Sequence, residues 1–320
     1  MPRYARNAVI LAKIETTVGT DAVPDGATDA LLVSELSITP LDATNVDLAY
    51  IRPYFGSSPQ LVATATKKIS FTVDLAGSGA AGTAPRLGSL LQGCAMAEAV
   101  LATPARVEYT PVSTGLKTLT IYAYDDGVLH KYLAAMGTAK LGAQVSDRPK
   151  LQFEFTALDG GETAAANPAA TLTAWKTPVA MTKANVVDIT LGATYAPGAI
   201  TGGTVYPSRG LDIDIGNSVQ YTPMLSGESV DITDRQMAGS VLLDLSAAQE
   251  VTFMGTVKAN ALQSVALTIG TATGYKAILF APQVQLINPS KQDVNGRRLI
   301  GFDMRLVPSA GNDELRIAFV

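Results

Sequence analysis

The chain reads as a mainly β protein, built as two tandem copies of one unit with a single flanking helix in each. Three observations predict this. Short apolar–polar alternations recur along its 320 residues, separated by Gly, Pro, Asn or Asp. The composition is rich in Ala, Thr and Gly and holds only 16% charged residues. A set of segments from the first half also returns in the same order in the second.

Residues 1–30 read as an N-terminal arm, with a short apolar run, Val9-Ile10-Leu11-Ala12, cut by Lys13 and Glu15. A first β domain is expected over 31–160. It opens with a strand from Leu31 to Thr39, whose inward candidates are Leu32, Leu36 and Ile38. Between Tyr50 and Pro59, two prolines and Gly56 forbid a central strand, yet Tyr50, Ile51, Tyr54 and Phe55 crowd the same stretch. Such a loop either folds back on its own core or protrudes to dock on another subunit. Ile69-Ser70-Phe71-Thr72-Val73-Asp74-Leu75 alternates as a half-buried strand. Pro85 to Val100 has helical spacing, with Leu87, Leu90, Leu91 and Cys94 on one face. Leu119–Tyr124, the turn Asp125-Asp126-Gly127 and Val128–Leu133 form a hairpin. Lys140–Val145 and Lys150–Leu158 complete the unit. Residues 161–174 are a linker by composition, and a second β domain is expected over 175–320, with Trp175 covering its core.

In the second copy Val241-Leu242-Leu243-Asp244-Leu245 echoes Phe71-Thr72-Val73-Asp74-Leu75. A helix-like segment follows from Ala247 to Ala261, with Val251, Met254, Val257 and Leu262 near one stripe. Leu267-Thr268-Ile269 then repeats Leu119-Thr120-Ile121, and Ile300–Val307 repeats Leu151–Leu158. The offset falls from 170 at Leu75/Leu245 to 148 at Leu119/Leu267, so the first copy carries about 22 extra residues around its helix.

Chemistry is sparse. Gly77, Gly79 and Gly82 satisfy the G-x-G-x-x-G spacing of a pyrophosphate cradle. The preceding strand is broken by Ser70, Thr72 and Asp74, however, and its echo at 241–245 has no glycines after it, so no cofactor is expected. One histidine, His130, excludes a histidine-rich metal site, and it reads as a surface or interface residue. One cysteine, Cys94, excludes an intramolecular disulfide and reads as a small core residue. Asp125/Asp126, Asp212/Asp214 and Asp231/Asp234 are acid pairs in turns or strand edges, where solvated and capping roles are usual. Arg297-Arg298 flanks a hairpin and could meet a partner's acids. No catalytic constellation emerges, and the net charge of −4 argues against phosphate-driven nucleic-acid binding. No apolar run approaches the length of a membrane span, and a soluble product made in the cytoplasm is expected.

Leu11 to Pro24, with Thr28 to Ser34, resembles the start of tail tube (major tail) proteins of long-tailed bacteriophages. Trp175-Lys176-Thr177-Pro178, Val186–Ile189 and Leu211-Asp212-Ile213-Asp214-Ile215-Gly216-Asn217 are similar to later parts of the same family. The resemblance implies a tail-tube-type β-sandwich or rolled sheet, joined side by side into rings around a DNA channel and located in the virion tail. It implies partners too: further copies of the chain in stacked rings, tape measure, terminator and tip proteins, and DNA in non-specific transit, with no membrane. Two units per chain make three chains per ring the expectation, with Tyr50, Ile51, Tyr54 and Phe55 between rings. The alternative is a β-sandwich that decorates the virion or mediates adhesion without polymerising.

Overall fold

The computed structural model describes residues 2–4 and 6–320. Its N-terminal half contains strands β1 (Ala8–Ile14), β2 (Ala30–Leu31), β3 (Ser34–Asp47) and β4 (Gln60–Asp74), then helix α1 (Gly88–Gly93). Strands β5 (Met96–Ala102), β6 (Ala105–Pro111), β7 (Leu119–Asp125), β8 (Val128–Gln144) and β9 (Lys150–Ala164) follow. The C-terminal half begins with β10 (Val186–Ala196), β11 (Ala199–Val205), β12 (Ser208–Asp214), β13 (Asn217–Met224), β14 (Gly227–Arg235) and β15 (Ala238–Leu243). Helix α2 (Ala247–Lys258) and strands β16 (Leu262–Ile269), β17 (Ala277–Val294), β18 (Arg297–Leu306) and β19 (Arg316–Phe319) close it.

All pairings are antiparallel. In the first half the strands lie in the order β3-β4-β9-β8-β7-β1. In the second they lie in the order β12-β15-β18-β17-β16-β10. Place for place, these orders correspond, and each half has its helix after the second strand of its order. The β5–β6 hairpin is present only in the first half, within the stretch where extra residues were expected. Two junctions merge the halves into one sheet of 17 strands: β12 pairs with β8, and β19 pairs with β6.

Strand β8 reaches both layers because it bends. Its register against β9 shifts between Leu133 and Met136, where Ala134 has φ 48°. Its first part pairs with β7 and its last part, Lys140–Gln144, with β12. The core lies between the layers. Phe71, Phe153 and Phe155 stack in the first half, and Phe253 rests on Phe302 under α2 in the second.

Several expectations change. Residues 8–14 are a core strand, not part of an arm: Ile10, Leu11 and Ala12 are buried against β7. Glu15, which made this segment look solvated, is itself buried. Its carboxylate accepts hydrogen bonds from the Thr118 and Thr120 hydroxyls (2.7 and 2.9 Å) and from the Gly19 and Ala134 amides. The expected first helix shrinks to Gly88–Gly93. Ala95 then turns the chain at φ 59°, and Met96–Ala102 pairs with β6 as a strand. In α2 the inward residues are Phe253, Met254 and Val257; Val251 is exposed and Leu262 belongs to a strand. Leu32 is half-exposed, whereas Leu36 and Ile38 pack on the core. Strand β9 runs to Ala164, into the expected linker. Trp175 packs at the edge of the core and donates to the Ala30 carbonyl at 2.9 Å, tying the start of the second half to the first.

Candidate functional site

Part of the sheet forms a continuous eight-strand layer, β3-β4-β9-β8-β12-β15-β18-β17. Residues directly opposite one another share a face. One face carries Ile69, Phe71, Leu151, Phe153, Leu141, Ile213, Val241 and Phe302 and is core. The register places Lys68, Ser70, Gln152, Glu154, Lys140, Asp212, Asp214, Ser240, Asp303 and Arg305 on the opposite face. Cations and carboxylates are both present along it. Lys140 pairs with Asp214 at 3.2 Å, and the Gln144 side-chain amide donates to Asp212 at 2.8 Å. This mixed surface suits sliding contact more than capture, since a wall of one positive sign would hold phosphates.

The layer has two free edges. Among the described residues, strand β3 pairs only with β4, and the last part of β17, Ser290–Val294, pairs only with β18. Unpaired edges of this length invite another strand.

Beyond Thr39, β3 and β4 continue as a long exposed hairpin whose tip spans 48–59. The tip gathers Tyr50, Ile51, Tyr54 and Phe55. Ile51 and Phe55 are fully exposed, at 103% and 107%, and the two tyrosines are more than half exposed. The loop therefore protrudes and does not fold back on its own core. A second hairpin, β13–β14, occupies the corresponding place in the other half and was missed in the sequence. Its tip exposes Met224 and Leu225. The signal was there in the alternation Val219-Gln220-Tyr221 and in Gly227 after the turn.

The remaining candidates have structural roles. A Cβ on Gly77 would lie 2.2 Å from the Gly274 carbonyl oxygen, and the Gly79 amide donates to that oxygen at 3.0 Å. The glycine run is thus a close backbone crossing between the halves. Burial pushes the Cys94 thiol far above its ordinary value, which removes its nucleophile. His130 is largely buried on β8, with Nδ1 3.7 Å from Glu162. Asp125 and Asp126 bind the N-terminal residues Arg3 and Tyr4. Asp231 accepts from Ser229, and Asp234 from the Gln236 amide. Arg297 bonds Asp244, just beyond the end of β15, while Arg298 sits opposite Asp293 across the β17–β18 hairpin. Among the described residues no group of three or more His, Cys, Asp or Glu could hold a metal ion.

A family model described as phage tail tube protein matches residues 5–304. The curated proteins contain no match.

Proposed function

Since the chain belongs to the phage tail tube protein family, and is a structural protein and not an enzyme, we propose that it polymerises into stacked rings of three chains. The hollow tube so formed passes DNA during ejection. The repeated strand order carries this reading. Two copies of one unit, arisen by tandem duplication, give each chain two places in a ring of six units, which then has pseudo-sixfold symmetry. The expected domain limits, 31–160 and 175–320, fit such units once β1 is added to the first.

Geometry supports the count. An eight-strand barrel is filled by its own side chains, whereas barrels of 16–18 strands hold an aqueous channel. Three chains contributing the eight-strand layer would close a barrel of about 24 strands. The polar face of that layer lines the lumen, and the helices lie outside. Tyr50, Ile51, Tyr54 and Phe55 bury their apolar surface on the next ring. Tape measure protein occupies the lumen before DNA, terminator and tip proteins cap the ends, and the assembled product resides in the virion tail.

Native mass spectrometry and electron microscopy without imposed symmetry test the reading. Rings of three chains with six alternating lobes are expected. Six chains in six identical lobes would overturn the count. A protein that stays monomeric at tube-forming concentration would favour the decorating alternative.

A further inference from the structure

We propose that the outer edge of β3 in one chain pairs antiparallel with Ser290–Val294 of β17 in a second copy. Ser37 then lies opposite Gln292, Ile38 opposite Lys291 and Thr39 opposite Ser290. This deepens the ring reading and rests on it. What carries it is that each chain already contains one such seam, between β12 and β8.

The seam is specific. Leu211 faces Ala143, Asp212 faces Gly142, Ile213 faces Leu141 and Asp214 faces Lys140. Each of its strands has a counterpart at a free edge. Strand β12 sits on β15 with Asp212 opposite Ser240, as β3 sits on β4 with Ser37 opposite Ser70. The match extends to backbone detail. Both strands shift register just before these residues, and the residue two places earlier is left-handed in each: Gly210 at φ 112° and Glu35 at φ 54°. Likewise β8 places Leu141 and Gly142 opposite Leu151 and Lys150. Strand β17 places Lys291 and Gln292 opposite Ile300 and Leu299, the corresponding residues of β18. Replacing each seam strand by its counterpart yields the register stated above.

Burial points the same way. At the internal seam Leu211, Ile213, Leu141 and Ala143 are buried. At the free edges Leu36 and Ile38 are only half-buried, and Ser290 to Asp293 are exposed. Lys291 takes the place of Leu141. It is held to Glu250 of α2 at 2.9 Å, so its stem can lie along the sheet while its charge stays wet. Because the two edges differ, the contact is head-to-tail, the kind that closes rings when the rotation allows.

The test is disulfide trapping with Ser37→Cys and Gln292→Cys in one chain. Both positions are exposed, so the substitutions spare the fold, and the native Cys94 is fully buried and does not compete. Directly opposite Cβ atoms lie about 4.5–5.5 Å apart, close to disulfide reach, whereas diagonal neighbours lie about 7–8 Å apart. Oxidised rings should therefore yield covalent closed oligomers on non-reducing gels. The diagonal pair Ser37→Cys with Val294→Cys should cross-link at least tenfold less, and either single variant not at all. Rings that form without cross-linking would overturn the seam and leave the ring reading standing. A single variant that cross-links to itself would show a symmetric edge contact and also overturn the seam. Failure of the unsubstituted protein to form rings would sink both, while a covalent hexamer would uphold the seam and overturn only the count of three.

Discussion

Lys67 is the most buried charge in the chain, with no exposed side-chain surface. Its ammonium meets Asp159 at 2.6 Å and Glu162 at 2.5 Å and donates to the Gly161 carbonyl. The two carboxylates are partly exposed, so the penalty of breaking the cluster depends on which side is removed. Asp159→Asn with Glu162→Gln leaves a buried cation without a counter-charge and should cost about 3–5 kcal/mol in urea unfolding. Loss of under ~1 kcal/mol would mean that the lysine reaches water by local opening. The same site governs acid stability. Burial opposes ionisation of Asp159, but hydrogen bonds from Lys67 and the Gly161 amide outweigh it and hold the carboxyl below its ordinary range. Glu108 is lowered in the same sense, burial being outweighed by Arg106, Tyr195 and Arg316. Asp21 is lowered too, through Tyr122 and Lys131. A carboxyl depressed by folding adds stability that is complete above its unfolded value of about 3.9–4.3 and is lost as pH falls through the lower folded value. Urea midpoints should thus hold steady down to roughly pH 5 and decline below about pH 4. Asp159→Asn should make that decline shallower; an unchanged slope would remove Asp159 from the account.

At the level of elements, α2 is held at its start by a reciprocal cap. The Ser246 hydroxyl accepts from the Gln249 amide, and the Gln249 side chain accepts from the Ser246 amide. Ser246→Ala should lower stability by about 1 kcal/mol, visible as a lower thermal midpoint. The β3–β4 tip offers the opposite case. Tyr54→Ser with Phe55→Ser removes side chains that are largely exposed in the monomer, so the melting temperature should stay put while ring stacking fails. Normal tubes from that variant would show that the tip does not bridge rings. These elements differed in how openly the sequence displayed them. The β7–β8 turn was plain, because Asp126 and Gly127 both take the left-handed backbone that such a turn needs. Strand β5 was hidden. Met96-Ala97-Glu98-Ala99 favours helix locally, and only pairing with β6, far beyond the reach of periodicity, makes it extended. Strand β1 was hidden for a different reason, since polar partners of Glu15 arrive from Thr118, from Thr120 on β7 and from Ala134 on β8.

For the whole molecule, the order of elements was legible where individual chemistry was not. Repeated segments such as Leu119-Thr120-Ile121 and Leu267-Thr268-Ile269 do lie on corresponding strands, β7 and β16. Which face of the long layer is core and which is polar also follows from alternation. The junctions that weld the halves do not, because Leu211–Asp214 carries no mark of choosing Lys140–Ala143 as its neighbour. The polar face supplies a prediction at this scale. Glu154→Lys with Asp303→Lys adds cations at exposed positions of the proposed lumen wall. Tubes of this variant should retain DNA at low ionic strength and release it as salt rises, unlike the unsubstituted tube. Equal retention by both would place these residues away from the channel.

The two hairpins have a further consequence. The β3–β4 tip is a broad aromatic loop of about a dozen residues, while β13–β14 ends in a tight turn bearing Met224 and Leu225. Around the proposed three-chain ring they would alternate, so a neighbouring ring would meet two kinds of socket in turn. Such a ring can be seated in three equivalent orientations, not six, and a one-sixth rotation sets every tip against the wrong receiver. If rings of three chains stack as proposed, the unequal hairpins would act as a key, fixing the angular phase between successive discs.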